Sequence, residues 1–135
     1  MKNILEKVDQ NAGKVWRTLD EYGPCNQNKL MKITKLNNEE FYAAVGWLAC
    51  ENKIYNDGTL YKLGDTNLVE KIGPNAGKIW TMLNEWGKVD APNISKITGL
   101  TEKDTSYALG WLAQEGKINV RKVKPTKYQI IYELK

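Results

Sequence analysis

The sequence predicts a mainly α chain with small β-sheets, built as three helices and a β-hairpin laid down twice. Three observations predict it. A repeat recurs at a constant offset of 64 residues, apolar residues fall at helical spacing inside each copy, and each copy closes on a turn flanked by strand-like residues.

The repeat needs no gap. NAGKVW from Asn11 to Trp16 returns as NAGKIW from Asn75 to Trp80, and KITKL from Lys32 to Leu36 returns as KITGL from Lys96 to Leu100. AVGWLACENKI, Ala44 to Ile54, returns as ALGWLAQEGKI, Ala108 to Ile118. About 20 of the roughly 44 aligned positions from Asn11 onward are identical, far above chance. A chain of 135 residues fits one ordinary domain or two very small ones, and the repeat divides it into residues 1–64 and 65–135.

Within each copy the elements follow in order. Val8, Ala12, Val15, Trp16, Leu19 and Tyr22, mirrored by Ile72, Ala76, Ile79, Trp80, Leu83 and Trp86, give a first helix with one apolar face. Gly23 or Gly87 ends it, and Pro74 suits a first helical turn, where proline has no needed N–H to lose. A short extended piece near Val89 leads to a second helix holding Leu30 and Ile33, or Ile94 and Ile97. The third helix opens at Asn37 or Thr101, each able to cap free N–H groups, with Glu40 or Asp104 three residues on. Its apolar face, Phe41, Ala44, Val45 and Leu48, or Thr105, Ala108, Leu109 and Leu112, is expected to sit on the first helix. Ile54 and Tyr55 then turn through Asn56, Asp57 and Gly58 into Leu60, Tyr61 and Leu63. The second copy has a longer hairpin, from Ile118 and Val120 through Lys124 to Lys127 and back along Tyr128, Ile130, Tyr132 and Leu134. Three helices followed by a hairpin is the winged helix-turn-helix arrangement, here in tandem.

The joined motifs NAGK(V/I)W, (I)T(K/G)L and GWLAxExKI resemble those of small prokaryotic winged helix-turn-helix domains whose cellular function is uncharacterised. Both copies carry all three. The resemblance implies a winged-helix fold and association in pairs, so that the duplicated chain is a covalent pseudo-dimer. It supplies no catalytic or ligand-binding residue.

Composition narrows the function. Histidine is absent, which removes the commonest general base, metal ligand and pH switch. Cys25 and Cys50 have no metal or redox spacing and read as reduced thiols. Gly73 to Lys78 lacks the spacing and the following Ser or Thr of a phosphate loop. The expectation is therefore a non-enzymatic chain with no cofactor, no metal and no small-molecule substrate. No long apolar run or cleavable leader is evident, so a cytoplasmic protein without membrane contact is expected.

Two kinds of partner remain. Net charge is +4 and the pI about 9.0, and Lys117, Arg121, Lys122, Lys124 and Lys127 crowd a late stretch without an acid. With Lys96 and Lys103 they are candidates for phosphate contact, which makes a DNA-binding or transcription-regulatory module contacting double-stranded DNA through the second wing the leading expectation. The same lysines can serve as a solubilising strand edge. The third helices argue differently. In a helix-turn-helix this element enters the major groove, yet its outward residues carry no arginine and begin with acids. Tyr42, Gly46 and Trp47, with Tyr107, Gly110 and Trp111, instead suggest an interface that pairs the copies or receives another protein. Trp47 and Trp111 can equally lie under their own wings as core. An interaction module using this Gly-Trp face is the alternative function.

Overall fold

The computed structural model describes residues 7–123 and 129–135, and of 121–123 and 129–130 the backbone. The described residues form six helices and two three-stranded antiparallel sheets. In the first copy these are α1 (Val8–Tyr22), β1 (Cys25–Asn26), α2 (Gln27–Thr34), α3 (Asn38–Cys50), β2 (Ile54–Asn56) and β3 (Leu60–Leu63). The second copy repeats them as α4 (Val69–Trp86), β4 (Val89–Asp90), α5 (Ala91–Thr98), α6 (Glu102–Gln114), β5 (Ile118–Val123) and β6 (Gln129–Leu134). The fold is a tandem winged helix.

Short polar side chains set the helix starts, because the first N–H groups of a helix have no partner within it. Asn37 accepts from the Glu40 amide at 2.8 Å while the Glu40 carboxylate accepts from the Asn37 amide at 3.0 Å, a complete capping box. Thr101 accepts from Asp104 N at 3.0 Å, and Asn26 and Asp90 cap α2 and α5 in the same way. Pro74 departs from expectation. It lies inside a continuous α4 and not at its first turn. Proline removes an N–H from the ladder, and the neighbouring Asn75 side chain donates to the Lys71 carbonyl at 3.2 Å.

In each sheet the returning strand lies in the centre, in the orders β1-β3-β2 and β4-β6-β5. Cys25 faces Tyr61 as Val89 faces Tyr132, and Ile54 faces Leu63 as Ile118 faces Leu134. Equivalent residues are thus offset by 64 up to the wing and by 71 beyond it. Tyr61 and Tyr132 are therefore structural counterparts although no sequence alignment at 64 pairs them.

As expected from their apolar faces, α3 packs on α1 and α6 on α4. Val15, Leu30, Phe41, Val45 and Ile54 make the first core, and Ile79, Leu83, Ile94, Leu109 and Leu112 the second. The cores do not respect the repeat boundary. Leu68, Ile72 and Tyr107, all from the second copy, belong to the first core. The connection between copies is fastened to the first wing: Asn67 exchanges two hydrogen bonds with the backbone of Asn56, at 3.0 and 2.6 Å, and Asn52 accepts from Thr66 N at 2.8 Å.

Candidate functional site

The most extensive contact between any two elements is α3 against α6. Its centre is glycine. A Cβ on Gly46 would collide with the carbonyl oxygen of Tyr107, and one on Gly110 would collide with that of Ala43. Position 43 corresponds to 107 and 46 to 110, so the two contacts are one contact seen from both sides. Such reciprocity defines a twofold seam. Tyr42, Gly46, Trp47, Tyr107, Gly110 and Trp111 all lie along it or at its margins. Gly46, Gly110 and Tyr107 are buried; Tyr42, Trp47 and Trp111 are half-buried. Trp47 packs on the first core, whereas Trp111 packs on both.

The seam decides what the third helices can offer a partner. Their middle turns are closed against each other, and the outward residues left in solvent are Asn38, Glu39, Glu102 and Lys103 in the first turns. Groove insertion by a helix whose middle is buried and whose open end is acidic is unfavourable on steric and electrostatic grounds alike.

The basic candidates are spread over several elements. Lys96 is exposed in the last turn of α5. The Lys103 ammonium lies over the rings of Tyr42 and Tyr107, 5.4 and 5.8 Å from their centroids, a cation–π arrangement at the seam. Lys117 pairs with Glu115 at 3.5 Å. Arg121 and Lys122 are in β5 by their backbone, opposite Ile131 and Ile130. Lys124 and Lys127 lie outside the described residues.

Periodicity put Trp16, Tyr22, Trp80 and Trp86 on the buried faces of the first helices, and the structure corrects this. They are exposed, Trp86 at 62%: Trp16 and Trp80 follow the inward Val15 and Ile79, from which a helix turns away by about 100° at the next residue, and Tyr22 and Trp86 are the last residues of α1 and α4. Ile33 and Ile97 of the second helices are also exposed. These six form three pairs at the 64-residue offset: Trp16 with Trp80, Tyr22 with Trp86, Ile33 with Ile97. The internal repeat was the signal available in sequence, since it preserves all six as large apolar residues.

Trp16 and Trp47 wall a groove of about 540 Å³ floored by Ala12 and Gly13, and Trp80 and Trp111 wall its counterpart of about 480 Å³ floored by Ala76 and Gly77. Ion pairs rim both, Lys53 with Glu51 at 3.6 Å and Lys117 with Glu115. A Cβ on Gly77 would meet nothing within 4 Å, although glycine inside a helix costs about 1 kcal/mol relative to alanine. Among the described residues no neighbour requires glycine there.

Chemistry of other kinds finds little support. Burial, then the nearby Glu115 and Glu51 carboxylates, push the Cys50 thiol up to about 11, and the Cys25 thiol is buried and donates to the Gly23 carbonyl at 3.3 Å. Among the described residues no group of acids and cysteines is placed to hold a metal ion, and no helix is long and apolar enough to cross a membrane.

Two three-helix units, each closed by a hairpin wing and joined through their third helices, define a winged helix-turn-helix protein. Residues 2–63 and again 68–132 match the family described as winged helix-turn-helix domain (DUF2582), and the chain belongs to it, twice over. No curated protein and no solved structure matches the chain.

Proposed function

We propose that this protein is a regulatory docking module that acts on other proteins through its two equivalent tryptophan grooves, not by catalysis. The observation that carries the reading is the pairing of exposed apolar residues across the repeat. More than half of the aligned positions differ between the copies, yet Trp16 and Trp80, and the glycines beside them, stand in both. Exposed aromatics at the rim of a concave, glycine-floored surface suit a partner helix, whose backbone can approach closely over Gly13 or Gly77 and whose apolar residues can pack between the tryptophans. Two such grooves on one chain allow a partner with two segments to gain by avidity.

Gly77 supplies the test, because open space above it lets a larger side chain fill the groove without disturbing the fold. Affinity capture from the source cells, quantified by mass spectrometry, is expected to enrich partners with the wild type. The Gly13→Leu/Gly77→Leu chain is expected to lose them while keeping its circular dichroism. An unchanged captured set with that chain would overturn the reading.

The late basic stretch favours a second reading, in which the second wing, with Lys117, Arg121, Lys122, Lys124 and Lys127, and with Lys96 and Lys103 nearby in sequence, lies on the phosphates of duplex DNA. A wing contact does not require the third helices. Binding to random duplex DNA at low salt, with affinity falling steeply as salt rises, is the outcome it requires.

A further inference from the structure

The twofold seam makes the two sides of the molecule comparable residue by residue, and one side is full where the other is open. On the full side Tyr107 reaches from α6 into the first core. Its hydroxyl lies 3.0 Å from that of Tyr61, its ring meets Tyr42 edge-on at 5.1 Å, and the Lys103 ammonium covers both rings. Phe41 and Met31 pack beside them. The counterparts of Tyr107, Tyr42, Phe41 and Met31 on the other side are Ala43, Ser106, Thr105 and Ser95, every one smaller. Tyr132 alone keeps its aromatic ring, in the place of Tyr61.

What remains is a pocket of about 380 Å³ between α5, α6, β6 and the first turn of α3, within the size range of small-ligand sites. Tyr132 lines it, is only 2% exposed, and makes no side-chain hydrogen bond among the described residues. No buried side-chain oxygen among the described residues lacks a partner, so the Tyr132 hydroxyl, which makes no bond, opens onto the pocket, whereas on the full side the equivalent hydroxyl is bonded to Tyr107. The charge over the pocket is also inverted. Glu39 stands at the position equivalent to Lys103, which covers the rings of the full side, and Glu102 and Lys96 also line the pocket.

We propose that this pocket binds a small aromatic amine. A phenol-sized ring takes the space that Tyr107 and Tyr42 fill on the other side, a ring hydroxyl pairs with Tyr132, and the ammonium lies against Glu39. The Ser95 and Thr105 hydroxyls are bonded to each other at 3.0 Å, and the Ser106 side chain lines the pocket with Tyr132, whose hydroxyl orients the ring. This inference stands apart from the tryptophan grooves, which are lined by α1 and α4 and the C-terminal halves of α3 and α6 and share no residue with the pocket.

Titration of the full chain with tyramine, followed by nuclear magnetic resonance of backbone amides, is expected to show saturable one-to-one binding with the largest shifts at Glu39, Ser106 and Tyr132. Phenethylamine, which lacks the hydroxyl, is expected to bind about tenfold more weakly, and Tyr132→Phe to erase that difference. 3-(4-Hydroxyphenyl)propionate, which carries the opposite charge, is expected to bind more weakly still. Ala43→Tyr or Ser106→Tyr, each restoring a ring found on the full side, is expected to abolish binding. Either variant suffices if the other does not fold. Absence of saturable tyramine binding, equal binding of the propionate, or binding that survives in both filled variants would overturn the proposal.

Discussion

The two sides of the α3–α6 seam start from the same backbone and end in opposite states. On the first side Tyr107 crosses over, bonds to Tyr61 and joins the neighbouring core; on the second side Ala43 stops short and leaves Tyr132 facing a pocket. The glycines beneath are the same on both sides, so backbone approach does not explain the contrast. Side-chain volume does. The seam therefore separates two jobs: Gly46 and Gly110 set the distance between helices, and the residues at 43 and 107 decide whether the flank is packed or open.

The contrast is broken most severely by Tyr107→Ala, which empties the full side. A loss of about 3–5 kcal/mol, read by denaturant unfolding, is expected for removing a buried aromatic from a core. Gly46→Ala and Gly110→Ala force a methyl group into facing backbone, and each is expected to cost about 1–3 kcal/mol. Their costs should agree within about 1 kcal/mol. A larger disagreement would show that the seam is not reciprocal. Tyr107→Phe keeps the ring but removes its hydrogen bond to the buried Tyr61 hydroxyl, at a cost of about 1–2 kcal/mol, whereas Tyr132→Phe is expected to change stability by less than about 0.5 kcal/mol.

Alkaline pH gives a graded version of the same test. Burial raises Tyr61, Tyr107 and Tyr132 above the ordinary tyrosine value of about 10, with the neighbouring tyrosine hydroxyls adding at Tyr107 and the Glu39 carboxylate at Tyr132. The folded state holds their protons more tightly than the unfolded chain. Their contribution is thus complete below pH 10 and is lost as pH climbs past it. Melting temperature should fall over that range, and less steeply in Tyr107→Phe. The smallest effect concerns the grooves. Gly77→Ala is expected to raise stability by about 0.5–1 kcal/mol, and Gly13→Ala by less, because the Arg17 guanidinium lies 3.3 Å from where that methyl group would sit.

Much of this architecture is legible in the sequence, for identifiable reasons. Asn37 and Thr101 announce the third helices because capping is local chemistry, and the 64-residue offset repeats the whole plan. The strip of small residues around Gly46 and Gly110 marks a close approach, since only a neighbouring backbone makes glycine useful in a helix of such apolar character. Trp16 and Trp80 escape the pattern because helical periodicity locates a face only to within one residue, and a residue beside that face turns outward. Pro74 reads as a helix start because proline reports a missing N–H and is silent about an Asn75 side chain that satisfies a carbonyl beside it. The pocket at Tyr132 was invisible for a different reason: it exists only in the comparison of Tyr61 with Tyr132, and the longer second wing moves that pair out of the register that relates everything before it.

The connection pinned by Asn52 and Asn67 also changes the rules under which the seam can vary. When two separate identical chains meet across a twofold, every substitution is made twice, so a tyrosine reaching across one flank reaches across both. Joining the copies end to end lets each position mutate once. Alanine at 43 and tyrosine at 107 are then compatible, and one half can hold the body rigid while the other is free to acquire a ligand of its own.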